Sequence, residues 1–227
     1  INEMDFQIKE KTKAGANYFH NLVINGTSAS SGTGYVPNTF DGLKKILTGK
    51  STEMTTDIDI STSALLDSNY NALLDELDTF IALLAAKPDV LMMNSKMLTK
   101  VKSAARRAGY YDRNKDDFGR TVETYNGIIL MDAGQYYNGS TTEDVVSTST
   151  PSSDAYGTTD IYAAKLGLDA FHGISVDGSK MLKTYLPDLQ APGAVKTGEV
   201  ELIAGAVLKN SKMAGVLKGI KLLGKTA

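Results

Sequence analysis

The sequence predicts an α+β protein, and three stretches carry that prediction. Residues 61–109 indicate a helix, a strand and a second helix, residues 1–24 one long helix, and residues 198–223 extended strands rich in small residues. The first helix is only sparsely apolar and the last strands have no partner nearby, so neither is stable without a surface to cover. We therefore expect the two ends to lie side by side, with the middle of the chain forming a separate unit.

The central stretch, residues 61–109, has a clear helical periodicity. Over residues 66–84, apolar side chains recur at steps of three and four, which places them on one stripe of a helix that begins near residues 61–63. Pro88 cannot continue this helix. The apolar run Val90–Met93 that follows predicts a short buried strand.

A second helix follows this strand. Asn94 or Ser95 is placed to cap its start, and Gly109 is placed to close it in the left-handed conformation. Its methionine and those of the preceding strand indicate core packing rather than a ligand-binding surface. The polar face of the helix is basic and is available to solvent or to an acidic partner. The basic residues are Lys100, Lys102, Arg106 and Arg107.

The amino-terminal part predicts two helices and one strand. Residues 1–24 contain no proline, and their helix is expected to end at Asn25-Gly26 with the glycine left-handed. The stretch FDGLKKILTG predicts a short helix capped by Asp41 and stopped by Gly49. The alternation of Ile58 and Ile60 predicts a strand before the central unit.

Beyond Gly109, the polar run YYDRNKDDFGR predicts a loop. Its aspartates lack the spacing and the distal glutamate of a calcium-binding loop, so we interpret them as solvated charges. These aspartates are Asp112, Asp116 and Asp117. The runs TVETY and IILMD then flank Asn126-Gly127, the dipeptide that favours a type I′ turn, and predict a β-hairpin.

The last third predicts a long loop and several strands. Residues 133–159 are rich in Ser, Thr and Gly, which is typical of a functional or flexible loop. Residues 160–166 and the run FHGISVDG predict strands. Alternating apolar residues over 200–206 predict one long strand, followed by a turn and a second strand or short helix.

Composition disfavours several classes of function. The 227 residues include no cysteine and only two histidines, His20 and His172, which argues against disulfides and against Cys or His metal sites. A net charge of −2 provides no basic footprint for nucleic acid. No apolar run reaches the roughly 18–20 residues of a membrane span. We expect a soluble globular protein without a cofactor or metal.

Catalytic residues are not indicated either. His172 has no nucleophile motif beside it, and Ser175 does not lie in a Gly-x-Ser-x-Gly sequence. An α/β enzyme stays open as an alternative, with residues 133–159 as a flexible lid over a pocket containing perturbed carboxylates. The candidate carboxylates for that pocket are Asp112, Asp116 and Asp117.

Five passages in a characteristic order resemble the major capsid proteins of tailed bacteriophages, whose fold is shared with encapsulins and the herpesvirus capsid floor. NLVINGTSAS followed by FDGLKKIL is similar to the family's ALINGD and FDGL passage, and PDVLMMNSKMLTKVKSAARRAG is similar to its strand and following helix. FGRTVETYNGIILMD resembles its YNG hairpin, and IYAAKLG with GAVLKNSKMAGVLKGI resembles its closing strands. The resemblance covers residues 21–220.

The resemblance implies a phage major-capsid fold with two domains. Residues 1–50 and 186–227 would form a discontinuous peripheral domain, which holds a long spine helix over residues 1–25 and the C-terminal strands. Residues 51–185 would form an axial α/β domain. Such proteins begin with an N-terminal arm and an extended hairpin loop, and both are expected to be absent here because the chain opens at the long helix.

The resemblance also implies a function. It indicates a structural, non-enzymatic subunit of an icosahedral phage or prophage capsid, assembled in the bacterial host cytoplasm into pentamers and hexamers that enclose the genome. The implied partners are copies of the chain itself, with scaffolding, portal or decoration proteins as further candidates. Packaged DNA would make only non-specific contact, and no membrane is involved. An encapsulin-type nanocompartment shell is the alternative within the same fold.

Overall fold

The computed structural model describes residues 3–28, 39–109, 112–115, 121–176, 181–186 and 195–226. Its helices are α1 (Glu3–Asn25), α2 (Leu43–Leu47), α3 (Ser63–Ala82) and α4 (Ser95–Ala108), with a short 3-10 helix at Ser211–Met213. Its strands are β1 (Glu53–Thr55), β2 (Val90–Met93), β3 (Asp112–Lys115), β4 (Thr121–Tyr125), β5 (Ile128–Asp132), β6 (Gln135–Tyr137), β7 (Thr142–Asp144), β8 (Gly157–Ala164), β9 (Phe171–Ile174), β10 (Leu182–Tyr185), β11 (Glu199–Leu202), β12 (Gly205–Leu208) and β13 (Ala214–Leu223). The mixture of helices and strands agrees with the α+β class.

Seven strands form one mixed sheet in the order β1-β13-β8-β2-β5-β4-β3. β2 runs parallel to β5, and β1 runs parallel to β13, whereas the other neighbours are antiparallel. β2 lies at the centre of the sheet, and all four of its residues are buried. A strand that is buried on both faces does not alternate apolar and polar residues. This is why β2 is an uninterrupted apolar run in the sequence.

Two hydrophobic cores cover the two faces of this sheet. Leu91 and Met93 of β2 belong to one core, whereas Val90 and Met92 belong to the other, because successive side chains of a strand point to opposite faces. Each such buried side chain contributes roughly 1.5–3 kcal/mol, so β2 stabilises both layers. The first core includes these residues of α3 and α4: Leu73, Leu77, Phe80, Met97 and Val101. The second core includes these residues of α1, α2 and the segment after β7: Ile24, Leu43, Leu47, Val145 and Val146.

The ends of α4 and the β4–β5 hairpin confirm the sequence prediction. Asn94 is the cap of α4, since its Oδ1 accepts a hydrogen bond from the backbone N–H of Met97 at 2.8 Å. Gly109, with φ of 77°, closes the helix in the left-handed conformation. Asn126 and Gly127 have φ of 50° and 70°, the positive pair that a type I′ turn requires.

Outside the large sheet, β9 to β12 form a two-stranded ribbon. β9 pairs with β12 and β10 pairs with β11, both antiparallel, so the chain runs out along one strand and returns along the other. α1 lies against β11 and β12. The expected contact between the first helix and the late strands is therefore present for β11 and β12. β13, by contrast, lies within the seven-stranded sheet between β1 and β8.

Two polar contacts hold the end of α1 against the chain around β6 and β7. His20 Nε2 forms a hydrogen bond with the backbone oxygen of Ala133, and Asn25 Nδ2 donates to the backbone oxygen of Val145 at 2.7 Å. Because buried or half-buried carbonyls need a donor, these bonds favour one orientation of the helix end. The buried side chains of α1, Leu22 and Ile24, both lie at this end of the helix.

Two short strands differ from the prediction. The strand expected at Ile58 and Ile60 lies earlier, at Glu53–Thr55, whereas Asp59 forms only an isolated bridge with Lys221. Residues 112–115, predicted as part of a loop, form β3 and pair antiparallel with β4. In both places the pairing partner, rather than local propensity, decides whether a strand forms.

Residues 133–159 are also more ordered than a flexible loop. β6 and β7 form a small hairpin, and Val145 and Val146 after it are buried in the second core. Asn94 Nδ2 donates to the backbone oxygen of Val146 at 3.1 Å and to Thr159 Oγ1 at 2.8 Å. A side chain from a distant helix cap thus holds this stretch, and a composition rich in Ser and Thr does not reveal such a link.

The single strand predicted over residues 200–206 is divided at Ile203 and Ala204. The two halves, β11 and β12, pair with different strands of the ribbon. The predicted continuation, a turn followed by a second strand, is confirmed by the 3-10 helix and β13. A bend between two pairing partners leaves the alternation of side chains almost intact, so the sequence pattern does not show it.

Two predicted helix caps are wrong. Gly42, not Asp41, is the N-cap residue of α2, and no side chain caps that helix. The Asp41 carboxylate instead accepts hydrogen bonds from the backbone N–H and hydroxyl of Ser28 at 2.8 and 2.7 Å. Gly26 ends α1 without a left-handed φ. Glycine is required there because a Cβ would overlap the backbone oxygen of Phe40.

Candidate interaction surfaces

The structure describes three of the residues considered for catalysis or metal binding, Asp112, His172 and Ser175. Asp116 and Asp117 lie outside the described residues, and Asp112 begins the edge strand β3. His172 is partly buried in β9, and its Nδ1 is buried without a hydrogen bond to any described residue. Ser175 follows β9 in the chain and lines a shallow depression together with Ile174 and Val176. Throughout the described ranges, no group of three or more His, Asp or Glu side chains is placed to hold a metal ion.

The basic face of α4 is partly used within the chain. Lys102 forms an ion pair with Glu123, and Arg107 Nε lies 2.5 Å from Asp67 Oδ1. Exposed or half-exposed pairs of this kind contribute little to stability, about 0–1 kcal/mol, but they orient the side chains. The face is therefore less available to an acidic partner than its sequence suggests.

Two aspartates have pKa values shifted in opposite directions. Hydrogen bonds from Lys45 and Ser28 lower the pKa of Asp41 to about 2, and Lys45 Nζ lies 2.8 Å from its carboxylate. Burial raises the pKa of Asp160, whose Oδ1 accepts a hydrogen bond from the Gly219 backbone N–H at 3.3 Å. Both groups bond to the backbone or side chains of this chain, which is typical of structural rather than catalytic carboxylates.

An open groove of about 670 Å³ lies between the first half of α1 and β11. Met4 and Ile8 line it from the helix, and Val200 and Leu202 line it from the strand. Gly15 faces the strand across this groove, and a Cβ built there would lie 3.9 Å from Leu202 Cδ2, an ordinary van der Waals distance. A long helix with one mostly exposed half and an apolar groove beside it is suited to lie across another surface.

A second apolar surface lies at the bend of the ribbon, and we name it the ribbon patch: Ile174, Val176, Met181 and Ile203. Ile174, Val176 and Ile203 line a depression of about 320 Å³. All four side chains are exposed, and Val176 is 86% exposed. Adjacent exposed apolar side chains on a soluble protein mark an interaction surface.

The ribbon patch was not predicted from the sequence. Over residues 200–206 the alternation predicts that Leu202 points inward and that its neighbour Ile203 points outward. An outward isoleucine in a strand is a common observation and singles out no site. The available signal was that apolar residues occupy both the inward and the outward positions over residues 200–206. A strand with one face in solvent needs apolar residues on the other face alone.

Among the helices of the described ranges, none is both long enough and apolar enough to cross a membrane.

Comparison with known proteins adds two findings. Residues 1–130 match the model of a protein family described as SU10 major capsid protein. The fold is similar to that of the holo-SrpI encapsulin complex from Synechococcus elongatus PCC 7942, determined by cryo-electron microscopy, with a TM-score of 0.66 and 13% sequence identity. That similarity covers 97% of this chain and 67% of the encapsulin chain. No curated protein sequence matches the chain.

Proposed function

Because the chain belongs to the SU10 major capsid protein family, we propose that it is a structural subunit of an icosahedral phage or prophage capsid that assembles into pentamers and hexamers around the genome. The observation that carries the proposal is the family match over residues 1–130, more than half of the 227 residues. The encapsulin-like fold of almost the whole chain agrees with a shell subunit. The family is structural, and we propose no catalytic activity for this chain.

The architecture supports this role through a division between a packed body and open surfaces. The seven-stranded sheet with its two cores provides a rigid body. α1 and the ribbon extend its surface with an apolar groove and the ribbon patch. A shell subunit needs many modest contacts that repeat around a ring. Head-to-tail contacts between identical copies form a closed ring when the rotation from one copy to the next is a whole fraction of a full turn. Surfaces of this kind meet that need better than a single deep pocket.

We propose a peripheral and an axial domain whose borders follow the strand pairing. Residues 1–50 and the ribbon strands β9 to β12 would form the peripheral domain, since α1 lies against β11 and β12. Residues 51–165 would form the axial domain together with β13, which pairs with β1 and β8. This division moves β9 and β10 out of the axial range 51–185 and moves β13 out of the peripheral range 186–227.

The partners and location follow from the shell role. The subunit would assemble with copies of itself in the bacterial host cytoplasm and reside in the virion, with scaffolding, portal or decoration proteins as additional partners. Packaged DNA would contact the shell without sequence specificity, because a net charge of −2 offers little electrostatic attraction to phosphate.

An encapsulin-type nanocompartment shell is the second candidate, because the fold is similar to that of an encapsulin chain. At 13% identity, that similarity concerns the fold and not the contents of the shell. The family match favours a viral capsid over this candidate. The enzyme alternative loses its proposed lid, because Asn94 holds residues 146–159 against the sheet through Val146 and Thr159.

Expression of the chain in bacteria and negative-stain electron microscopy of the purified product test the proposal. We expect rings of five or six subunits, or closed shells. Nucleic acid inside the particles, detected by absorbance and by resistance to added nuclease, would favour the capsid, whereas a co-purified enzyme cargo would favour the nanocompartment. A product that stays monomeric at every concentration tested, by analytical ultracentrifugation, would contradict both shell functions.

A further inference from the structure

We infer that Asn126, at the tip of the β4–β5 hairpin, is a site of spontaneous deamidation. Its side-chain amide is converted to a carboxylate, with water as the only co-reactant. The sequence contains three Asn-Gly dipeptides, at residues 25–26, 126–127 and 138–139. The structure singles out the second of them, and the reaction does not depend on the proposed shell function.

The reaction joins the asparagine side chain to the backbone of the residue that follows it. The backbone nitrogen of Gly127 attacks Cγ of Asn126 and loses its proton, the bond from Cγ to Nδ2 breaks, and ammonia leaves. The cyclic succinimide then takes up one water. Opening at Cγ gives aspartate, whereas opening at the backbone carbonyl carbon gives isoaspartate, whose main chain runs through the former side chain. Glycine in the second position favours the attack because it has no Cβ to hinder the backbone.

The two reacting groups at Asn126 and Gly127 are free. Both residues are exposed. The side chain of Asn126 forms no hydrogen bond with any residue that the structure describes, and the backbone N–H of Gly127 donates to none of them. In this two-residue turn the flanking residues, Tyr125 and Ile128, pair with each other and leave the N–H groups between them unbonded. Neither the attacking nitrogen nor the leaving amide therefore has to give up a hydrogen bond within the described chain.

Asn25, by contrast, is held at both reacting groups. Its Nδ2 donates to the backbone oxygen of Val145 at 2.7 Å and to Asn21 Oδ1 at 2.8 Å. The backbone N–H of Gly26, which would be the nucleophile, donates to the backbone oxygen of Leu22 at 2.9 Å. An attack at this site has to break these bonds first, so it requires local opening of the end of α1.

Asn138 is exposed, as Asn126 is, but its side chain is fixed. Its Oδ1 accepts hydrogen bonds from the backbone N–H groups of Ser140 and Thr141, both at 2.8 Å. Its Nδ2 donates to Glu143 Oε1 at 2.6 Å. An asparagine that bonds to the backbone two residues on is held in the turn that it forms. Exposure alone thus does not separate the three sites, whereas the hydrogen bonds of the side chains do.

The reaction changes both the charge and the shape of the hairpin tip. Each event takes the net charge of the chain from −2 to −3. Asn126 lines a cavity of about 560 Å³ together with Asp75 and Asp78, so a new carboxylate would lie among like charges. One opposite charge is near, because Lys87 Nζ lies 3.1 Å from a Cβ built at Gly127. Isoaspartate also adds one atom to the backbone, which a two-residue turn does not accommodate without a change in the strand pairing.

Incubation of the full chain at mildly alkaline pH, followed by peptide mass spectrometry, compares the three sites. A parallel sample unfolded in guanidinium gives the intrinsic rate of each dipeptide, and these three rates should be similar. We expect the folded chain to convert Asn126 within about threefold of its unfolded rate, because no described hydrogen bond has to open first. Asn25 and Asn138 should each react at least about tenfold more slowly than when unfolded, because their side-chain bonds must break.

Asn126→Gly is the matched variant, since glycine accepts the positive φ of the turn and has no amide to lose. Ion-exchange chromatography should show a main acidic species that accumulates in the wild type and is absent from Asn126→Gly. Asn138→Gly makes the same change at another exposed Asn-Gly dipeptide, and it should accumulate that species as the wild type does.

Two results overturn the inference. One is a folded chain in which Asn126 is protected by more than about threefold, or reacts no faster than Asn25 or Asn138. The other is a main acidic species that persists in Asn126→Gly. Neither result bears on the shell function, which particle formation tests separately.

Discussion

Replacing Asn94 with alanine tests how much of the fold depends on one buried side chain. Its Oδ1 caps α4 by accepting from the Met97 backbone N–H at 2.8 Å, and its Nδ2 donates to Val146 O at 3.1 Å and to Thr159 Oγ1 at 2.8 Å. The side chain is fully buried, so the groups that it bonds cannot turn to bulk water instead. One residue therefore joins a helix start, a central strand and the segment after β7.

The expected magnitude follows from these bonds. Loss of an N-cap costs about 1 kcal/mol, and a buried carbonyl that loses its donor costs about 1–3 kcal/mol. We therefore expect Asn94→Ala to lower the free energy of unfolding by about 2–4 kcal/mol. Asn94→Asp keeps the capping acceptor but turns a buried carboxylate oxygen toward the carbonyl of Val146. At neutral pH it should lower the free energy of unfolding at least as much as the alanine.

Urea unfolding followed by circular dichroism measures these differences. Thr62→Ala is the matched control, because Thr62 is an exposed cap that only accepts from Leu65 N–H at 3.2 Å; its loss should cost about 1 kcal/mol or less. If Asn94→Asp unfolds within about 0.5 kcal/mol of the wild type, the amide donor contributes nothing and the reasoning fails.

Three further predictions concern the backbone and the titrating groups. Gly127→Ala should lower the free energy of unfolding by about 1 kcal/mol, because φ is 70° at that position; an unchanged urea midpoint would contradict the turn assignment. Asp41→Asn should lower the stability at neutral pH by less than about 1 kcal/mol, since solvent screens the pair with Lys45. That difference should vanish as the pH falls from 3.8 to about 2, because the lowered pKa of Asp41 stabilises the fold only while the group is ionised; a difference that is independent of pH would exclude this cause. The pKa shift of Asp160 has the opposite sign. Burial raises the pKa of this group, so the wild type should lose stability as the pH rises from 3.8 through the folded-state pKa. Asp160→Asn keeps an oxygen that accepts the hydrogen bond from the Gly219 N–H, and its melting temperature should not show that fall with rising pH. If the melting temperature of the variant depends on pH as that of the wild type does, burial of Asp160 is not the cause.

Local signals explain which parts of the fold were predictable. α3, β2 and α4 follow from residues that are neighbours in sequence, since the helical period, Pro88 and the Asn94 cap all act within a few positions. The β4–β5 hairpin follows from the two backbone dihedrals at Asn126 and Gly127. The order of such passages was also sufficient to identify the capsid family, which the match over residues 1–130 shows.

Distant pairing explains what was not predictable. β1 has three residues and exists because Glu53–Thr55 align with residues 216–218 of β13, more than 150 positions later. The segment after β7 is held by the amide of Asn94, and a polar composition gives no sign of such a bond. The ribbon patch depends on where the chain bends between β11 and β12, which is set by the two different strands that pair with them.

By itself, the sequence determined the class of the fold, the central helix–strand–helix unit and the family, because these depend on the order and spacing of residues along the chain. Only the tertiary structure decided that β13 lies within the large sheet and that the ribbon is separate from that sheet and packs against α1. It also decided that four apolar side chains at the bend of the ribbon are exposed to solvent. The physical reason is that exposure and long-range hydrogen bonding are properties of the packed chain, and a one-dimensional pattern does not contain the distances that set them.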